Sequence, residues 1–239
     1  SVVLDAGSMW GGLTIPLSQR CKCIFALDQT WESLKYLSVR SDIDGIKNIV
    51  PVESSISRLP FKNEKFDTII LNGVLEWLAT EEEVILERDW NSPSQSIQKK
   101  LSTSRNPREM QLDGLKELAR TLKKDGQIYI AIENRVGLQY LAGYPDDHVN
   151  IRFVSFLPRF LANYVTQKIK KHEYRTFLYS PNDLKSLLKE AGFKDIEIFT
   201  SYPHYNIISR MVSFKDFDSI GAISLNGSAP LDKAGKIKV

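Results

Sequence analysis

Short apolar runs alternate with helically spaced apolar positions along most of the chain. Residues 2–5, 24–27, 46–52, 66–71 and 127–132 read as strands, and residues 196–199 and 207–212 supply two more. The stretch after residue 5 is helix-like through Gln19. A second helix, capped by Thr30 or Gln29, runs to about Val39 with Leu34, Leu37 and Val39 as core positions. Met110, Leu112, Leu115, Leu118 and Leu122 mark a third, with Gly126 after its last turn, and residues 183–191 a fourth, stopped by Gly192. Several strands are apolar almost throughout, which fits burial on both faces. The pattern predicts an α/β fold: a doubly wound, mostly parallel seven-stranded sheet with helices on both faces and an antiparallel last strand.

One domain is expected over residues 1–220. Residues 91–108 are polar with little periodicity and read as an inserted loop, and residues 221–239 as a weakly patterned tail. Between 151 and 174, Phe153, Leu157, Phe160, Leu161, Tyr164 and Val165 recur at helical spacing, while Arg152, Arg159, Lys168, Lys170, Lys171 and Arg175 supply charge. A helical lid over about 151–177, its apolar face packed over a pocket, is expected. Peripheral contact of 151–175 with an anionic membrane surface is the alternative. The chain enters a strand at once from Ser1 with no initiator Met, which predicts a fragment lacking an N-terminal element.

Composition narrows the function classes. Of 239 residues, 42% are hydrophobic and 26% charged, an ordinary balance that fills a sizeable core. A net charge of +3 is too small for a dedicated nucleic-acid binder. No apolar run approaches the roughly 18 residues that cross a bilayer, and no signal-peptide pattern opens the chain. Cys21 and Cys23 are the only cysteines. On a strand their Cα atoms would sit about 6.6 Å apart, near the upper limit for a disulfide, with side chains projecting in parallel. With no second pair, zinc is not supported either, and a reducing cytoplasm is the expected compartment.

In a parallel sheet the ligand sits beyond the carboxyl ends of the strands. Residues 5–12, Asp28, residues 72–76 and residues 133–135 all fall there. Asp5, then Gly7, Gly11 and Gly12 before a helix, lets backbone approach a ligand closely. Asp28 ends the second strand, where a carboxylate can accept hydrogen bonds from a ribose diol.

Together with Leu59-Pro60-Phe61, Phe66-Asp67 and Leu75-Glu76-Trp77, this opening resembles the class I S-adenosylmethionine-dependent methyltransferases, in order from residue 2 to residue 212. The resemblance implies the Rossmann-like methyltransferase fold and S-adenosylmethionine as cofactor. Asp5 and Gly7 would hold its methionine end, with Ser8, Met9 and Gly11 in the same loop. Asp28, with Gln29 beside it, would take the ribose, Ser55 and Ile56 would flank the adenine, and Asn72 and Gly73 would line the pocket near the sulfonium. Two positions depart from the family pattern. Met9 stands where a third glycine is usual, and Ser55 where an Asp is usual, which weakens a hydrogen bond to the base amine worth ~1 kcal/mol.

Acceptor chemistry is expected after the fifth strand. The Ile132-Glu133-Asn134-Arg135 run, with Gly137, Tyr140, Gly143 and Asp147-His148 beyond it, looks like methyltransferases of bacterial surface-polysaccharide and lipopolysaccharide biosynthesis, as does Tyr202-Pro203-His204-Tyr205. His148 is the expected general base, since imidazole titrates near neutrality, with Asp147 or Asp146 orienting it. Glu133 binds a sugar hydroxyl or pairs with Arg135, and His204 is the competing base. No spacing rule supports a metal. The expected reaction is O-methylation of a sugar or glycan-related small molecule, nucleotide-linked or lipid-linked, in the cytoplasm or at the inner membrane surface. Two alternatives stand beside it. One is a non-catalytic domain that kept the fold and lost the reaction. The other is a short-chain dehydrogenase, which Tyr164 and Lys168 match in spacing but the missing glycine at Leu13 opposes.

Overall fold

In the computed structural model, which describes residues 1–81, 105–204 and 207–214, each of the first five apolar runs is a strand. β1 (Val2–Ala6), α1 (Thr14–Ser18), β2 (Cys23–Asp28), α2 (Trp31–Ile43), β3 (Ile49–Glu53), β4 (Phe66–Asn72) and α3 (Leu78–Glu81) are followed by α4 (Pro107–Thr121), β5 (Leu122–Ala131), α5 (Leu138–Leu141), α6 (Arg159–Lys170) and α7 (Pro181–Glu190). The five strands form one sheet in the order β3-β2-β1-β4-β5, every pair parallel. Leu4 and Ala6, Ile24, Ala26 and Leu27, and Phe66, Ile69 and Leu71 are buried along the three central strands. Leu34 and Leu37 of α2 and Leu115 and Leu118 of α4 are fully buried too, so the helices carry the apolar stripes that cover the sheet.

Local chemistry sets the boundaries. Asn106 caps α4 by accepting from the Arg108 N–H, with Pro107 in the first turn, and Ser180 caps α7 in the same way from Asp183. Gly126 does not close α4 as expected. That helix ends at Thr121, and Gly126 lies inside β5, near the irregularity where Phe66 pairs with Leu122 but Thr68 with Gln127.

The chain divides into two compact units, residues 1–193 and residues 194–239. In the second, β6 (Phe199–His204) and β7 (Ile207–Ser213) pair antiparallel with each other. The expected single seven-stranded sheet is thus, among the described residues, a five-stranded parallel sheet and a separate hairpin. The inserted loop expected at 91–108 lies mostly, and the tail at 221–239 wholly, outside the described residues. The basic stretch also differs: its helix is confined to Arg159–Lys170, after a short 3-10 turn at Val154–Phe156. Ala162 and Thr166 are its buried positions, while Phe160 and Tyr164 are 71% and 60% exposed. The aromatic residues expected to face a pocket therefore face solvent. Among the described residues no helix is long and apolar enough to cross a membrane.

The turn after β1 is closely packed. Gly7 sits at φ +84°, and a Cβ there would be driven into the Val74 side chain. Gly7→Ala is therefore expected to cost about 2 kcal/mol or more in denaturant unfolding. In a Val74→Ala background the same substitution should cost less, about 1 kcal/mol, because only the left-handed strain remains. Equal penalties in both backgrounds would show that no collision with Val74 occurs.

Candidate functional site

The loop between β1 and α1 folds back onto the end of β2: the Gly7 and Ser8 N–H groups both donate to the Leu27 carbonyl, at 2.8 and 3.0 Å. Asp28, the last residue of β2, ties this loop from the side. Its Oδ2 accepts from the Met9 N–H at 2.8 Å and its Oδ1 from the Thr30 N–H at 2.9 Å. Met9 occupies a left-handed conformation, φ +44°, which explains why a glycine is usual there. The Asp28 bond holds it in that state, with its side chain 56% exposed.

Asp5 lies beneath the loop, 2% exposed, with Thr14 Oγ1 donating to its Oδ2 at 2.5 Å. Burial, reinforced by the charge of Asp28 and opposed by Thr14, pushes its pKa up to about 6. Gly11 packs on Leu37, and Asn72 and Gly73 end β4, with the Gly73 N–H donating to the Ala131 carbonyl. Ser55 caps a 3-10 turn at Ile56–Arg58, its Oγ accepting from the Ser57 N–H. Ile56 is 1% exposed and faces Gly114 of α4, so it offers a ligand no surface.

These residues fit a nucleoside cofactor. Among the described residues the buried Ser8 Oγ and Gln29 Nε2 have no hydrogen-bond partner; Gln29 follows Asp28 in sequence, and the Ser8 N–H donates to the carbonyl of Leu27, the residue before Asp28. Orphaned polar atoms at the open end of a parallel sheet are the polar contacts a ligand would complete. Asp28, Ser8, Gln29 and the backbone around Gly7 would hold it.

A second cluster forms beyond β5. Glu133, 8% exposed, accepts from the Tyr140 hydroxyl at 2.5 Å. Asp146, 1% exposed, accepts from the backbone N–H of His148 and Val149 through Oδ1 and from the Tyr174 hydroxyl through Oδ2. The His148 ring is 3% exposed, its Nδ1 3.4 Å from Asp146 Oδ1 and 4.0 Å from Glu133 Oε2. Trp77 packs against it, with ring centroids 4.9 Å apart and planes tilted by 56°. Glu76, one residue earlier, is 1% exposed, and among the described residues its Oε2 has no hydrogen-bond partner. Val149, Val154, Ala162 and Tyr174 pack as a small core that fixes the loop carrying Asp146 and His148.

Two of the four expected catalytic residues, Glu133 and His148, come together here. Asp147 does not orient the ring. It is exposed, and the role falls to Asp146, whose turn bond to the His148 N–H brings its carboxylate alongside the imidazole. His204 belongs to the second unit, where its backbone pairs opposite Ile207. Sequence reasoning missed Glu76, Tyr140 and Tyr174, which carry no spacing signal of their own. Tyr164, the dehydrogenase-like tyrosine, is 60% exposed on α6.

The charges bias the cluster toward holding protons. Burial pushes the Glu76 carboxyl up to about 7 and raises Glu133 as well, against the opposing Tyr140 bond and His148 charge. Burial alone would lower the His148 pKa, but Asp146 beside the ring, with the charges of Glu133 and Glu76, outweighs it and the net shift is upward. Burial would likewise raise Asp146, yet His148 and Tyr174 hold it below the usual carboxylate range.

Residues 3–90 match the family model of a methyltransferase domain. The fold is that of SAM-dependent methyltransferases. A SAM-dependent methyltransferase from Methanosarcina mazei aligns over 89% of this chain and 88% of its own, with 14% identity and a TM-score of 0.53. One from Thermotoga maritima aligns over 88% of this chain and 74% of its own, with 17% identity and a TM-score of 0.50. The chain spans 65% of the length of a structure named as a methyltransferase from Bacillus halodurans, at 18% identity, 83% coverage of this chain and a TM-score of 0.51. No curated protein matches the sequence. The match to a methyltransferase domain supports S-adenosylmethionine as the cofactor.

Two outcomes are expected. Titration of S-adenosylhomocysteine by calorimetry should give micromolar binding that Asp28→Ala weakens at least tenfold, roughly the loss of a charged hydrogen bond. NADH should not bind, and NADH binding in its place would overturn the assignment. Glu76 is neutral in both folded and unfolded chains below its ordinary pKa of 4.5. As pH rises toward 7 the unfolded chain ionises first, and folding loses stability. Glu76→Gln should therefore gain about 3 kcal/mol on the wild type between pH 4.5 and pH 8. A stability difference independent of pH would show that Glu76 ionises freely in the folded chain.

Proposed function

We propose that this methyltransferase-fold chain transfers a methyl group to a hydroxyl of a sugar or glycan-related small molecule, with His148 as general base. The observation that carries the reading is the buried Glu133–Asp146–His148 group, with Glu76 and Trp77 reaching it from the end of β4. The cofactor supplies an already activated methyl on a sulfonium, so the protein has only to align the acceptor and take its proton. His148 accepts that proton. Asp146 holds the ring and stabilises the imidazolium that results, while Tyr140 keeps Glu133 turned toward it. Trp77, 44% exposed, is the outer face of the group, an aromatic surface on which the apolar side of a sugar ring can stack.

The acceptor in this reading is a nucleotide-linked or lipid-linked sugar, handled in the cytoplasm or at the inner membrane surface. Asp147, beside Glu133, is close enough for its charge to raise the Glu133 pKa and stays a supporting acid. His204 stays the competing base.

The test is methyl transfer from labelled cofactor to a panel of nucleotide sugars, free sugars and amines. His148→Ala should lower kcat about 100-fold or more while leaving S-adenosylhomocysteine affinity unchanged. The base must be neutral to work, so kcat should rise with pH through a His148 pKa above its ordinary 6.5. Asp146→Asn removes the carboxylate that favours the imidazolium and should move that limb to lower pH. Undiminished kcat in His148→Ala would remove it as base and turn attention to His204. Cofactor binding without transfer to any acceptor would favour the non-catalytic reading.

A further inference from the structure

Tyr174 serves two neighbourhoods. Its hydroxyl donates to Asp146, and the same side chain lines a cavity of about 80 Å³ together with Arg135, Ser155, Arg159 and Phe177. That space is several times the ~15 Å³ a single water requires, so it admits a phosphate-sized group.

The polar groups around it are unbalanced. Arg135 donates through Nε to the Ser155 carbonyl at 2.6 Å and through Nη2 to those of Phe156 and Leu157. Arg159 donates through Nη2 to the Tyr174 carbonyl, its guanidinium lying on the rings of Tyr174 and Phe177. Arg135 Nη1 and Arg159 Nε and Nη1 make no hydrogen bond among the described residues. Neither arginine has a carboxylate partner there, and no carboxylate lines the cavity. The two are close enough to oppose each other: burial, with the charges of Arg135 and Arg175, pushes the Arg159 pKa down to about 9. Ser155, which lines the same cavity, is 4% exposed, and among the described residues its hydroxyl has no partner. Arg159 also opens α6, whose first turn holds no acidic residue to offset its positive end.

Two uncompensated guanidiniums and a buried free hydroxyl are costly to keep unless a ligand brings the negative charge. The forked geometry of arginine suits phosphoryl oxygens in particular. We propose that Arg135, Arg159 and Ser155 form an oxyanion pocket that binds a phosphoryl group of the methyl acceptor, with Tyr174 joining that pocket to the proton-accepting cluster. The proposal rests on His148 marking the acceptor site, but its test needs no methyl transfer, so the two readings fail separately.

The test is binding of inorganic pyrophosphate and of uridine diphosphate to the whole chain by calorimetry. In parallel, the chain is co-sedimented with phosphatidylcholine vesicles with and without phosphatidic acid. Binding to the soluble probes, weakened at least about tenfold in Arg159→Gln and Ser155→Ala with S-adenosylhomocysteine binding intact, supports a nucleotide-linked acceptor. Binding to the phosphatidic acid vesicles alone, lost in the same variants, supports a lipid-linked one. Should Arg159→Gln fail to fold, Arg135→Lys keeps the charge but loses the fork, and it should weaken binding in the same way. The proposal falls if no probe binds the wild type, or if the folded variants bind as the wild type does.

Discussion

Asp146 is the contact on which the chain beyond β5 depends. A carboxylate 1% exposed is tolerated in a protein interior only when its lone pairs are filled and its charge is answered. Here two backbone N–H groups, one tyrosine hydroxyl and an imidazole do both. The consequence is mechanical as well as electrostatic. The loop at 146–149 cannot lift away without leaving a buried charge bare, and Tyr174, 28 residues on, is tied to it by the same oxygen pair. The small apolar core of Val149, Val154 and Ala162 then closes over a framework that is already fixed.

The cofactor end of the sheet is held by a different balance. Met9 at positive φ is strained, and a left-handed non-glycine residue costs about 1 kcal/mol or more. The charged acceptor of Asp28 offsets that strain by taking the Met9 N–H directly. The residue that stands where the resemblance expects glycine is therefore accommodated by the acid at the end of β2. Asp5, by contrast, is too deep to meet a ligand and acts through Thr14 on the base of the turn.

The sheet was legible in the sequence because its central strands β1, β2 and β4 are largely apolar, as strands covered by helices on either side must be, while the edge strands β3 and β5 stay partly exposed. Ends slipped where tertiary pairing overrode local signals: β5 begins at Leu122 rather than residue 127, because the chain resumes pairing with Phe66 before the irregularity. The α6 region misled for a physical reason. Helical spacing of aromatic residues implies an amphipathic face but not which side is covered, and the small Ala162 and Thr166 side chains allow the close approach instead. In the site, Glu133 and His148 were legible as chemistry-bearing types at a strand end. Asp146 and Asp147 could not be separated by type, and only the turn bond to the His148 N–H distinguishes them. Glu76 was hidden because it follows Leu75 in a motif that reads as helix entry, while its burial among acids is a property of the folded chain alone.

The segment from Asn72 to Trp77 joins the two halves. Val74 blocks a side chain at Gly7, Glu76 adds its charge to that of Glu133 and His148, and Trp77 covers the imidazole. A shift of this short stretch would therefore be felt by the glycine turn and by the proton-holding cluster together. Such coupling suits a transfer reaction. In the proposed reaction the methyl donor and the proton acceptor must be correctly placed at the same moment, and one short connector achieves that with fewer independent adjustments than two separate loops. Burial there has an electrostatic cost. It pushes the Glu76 carboxyl up to about 7, and the acids around His148 raise its imidazole against its own burial, so a small change in contacts would shift the proton balance of the cluster.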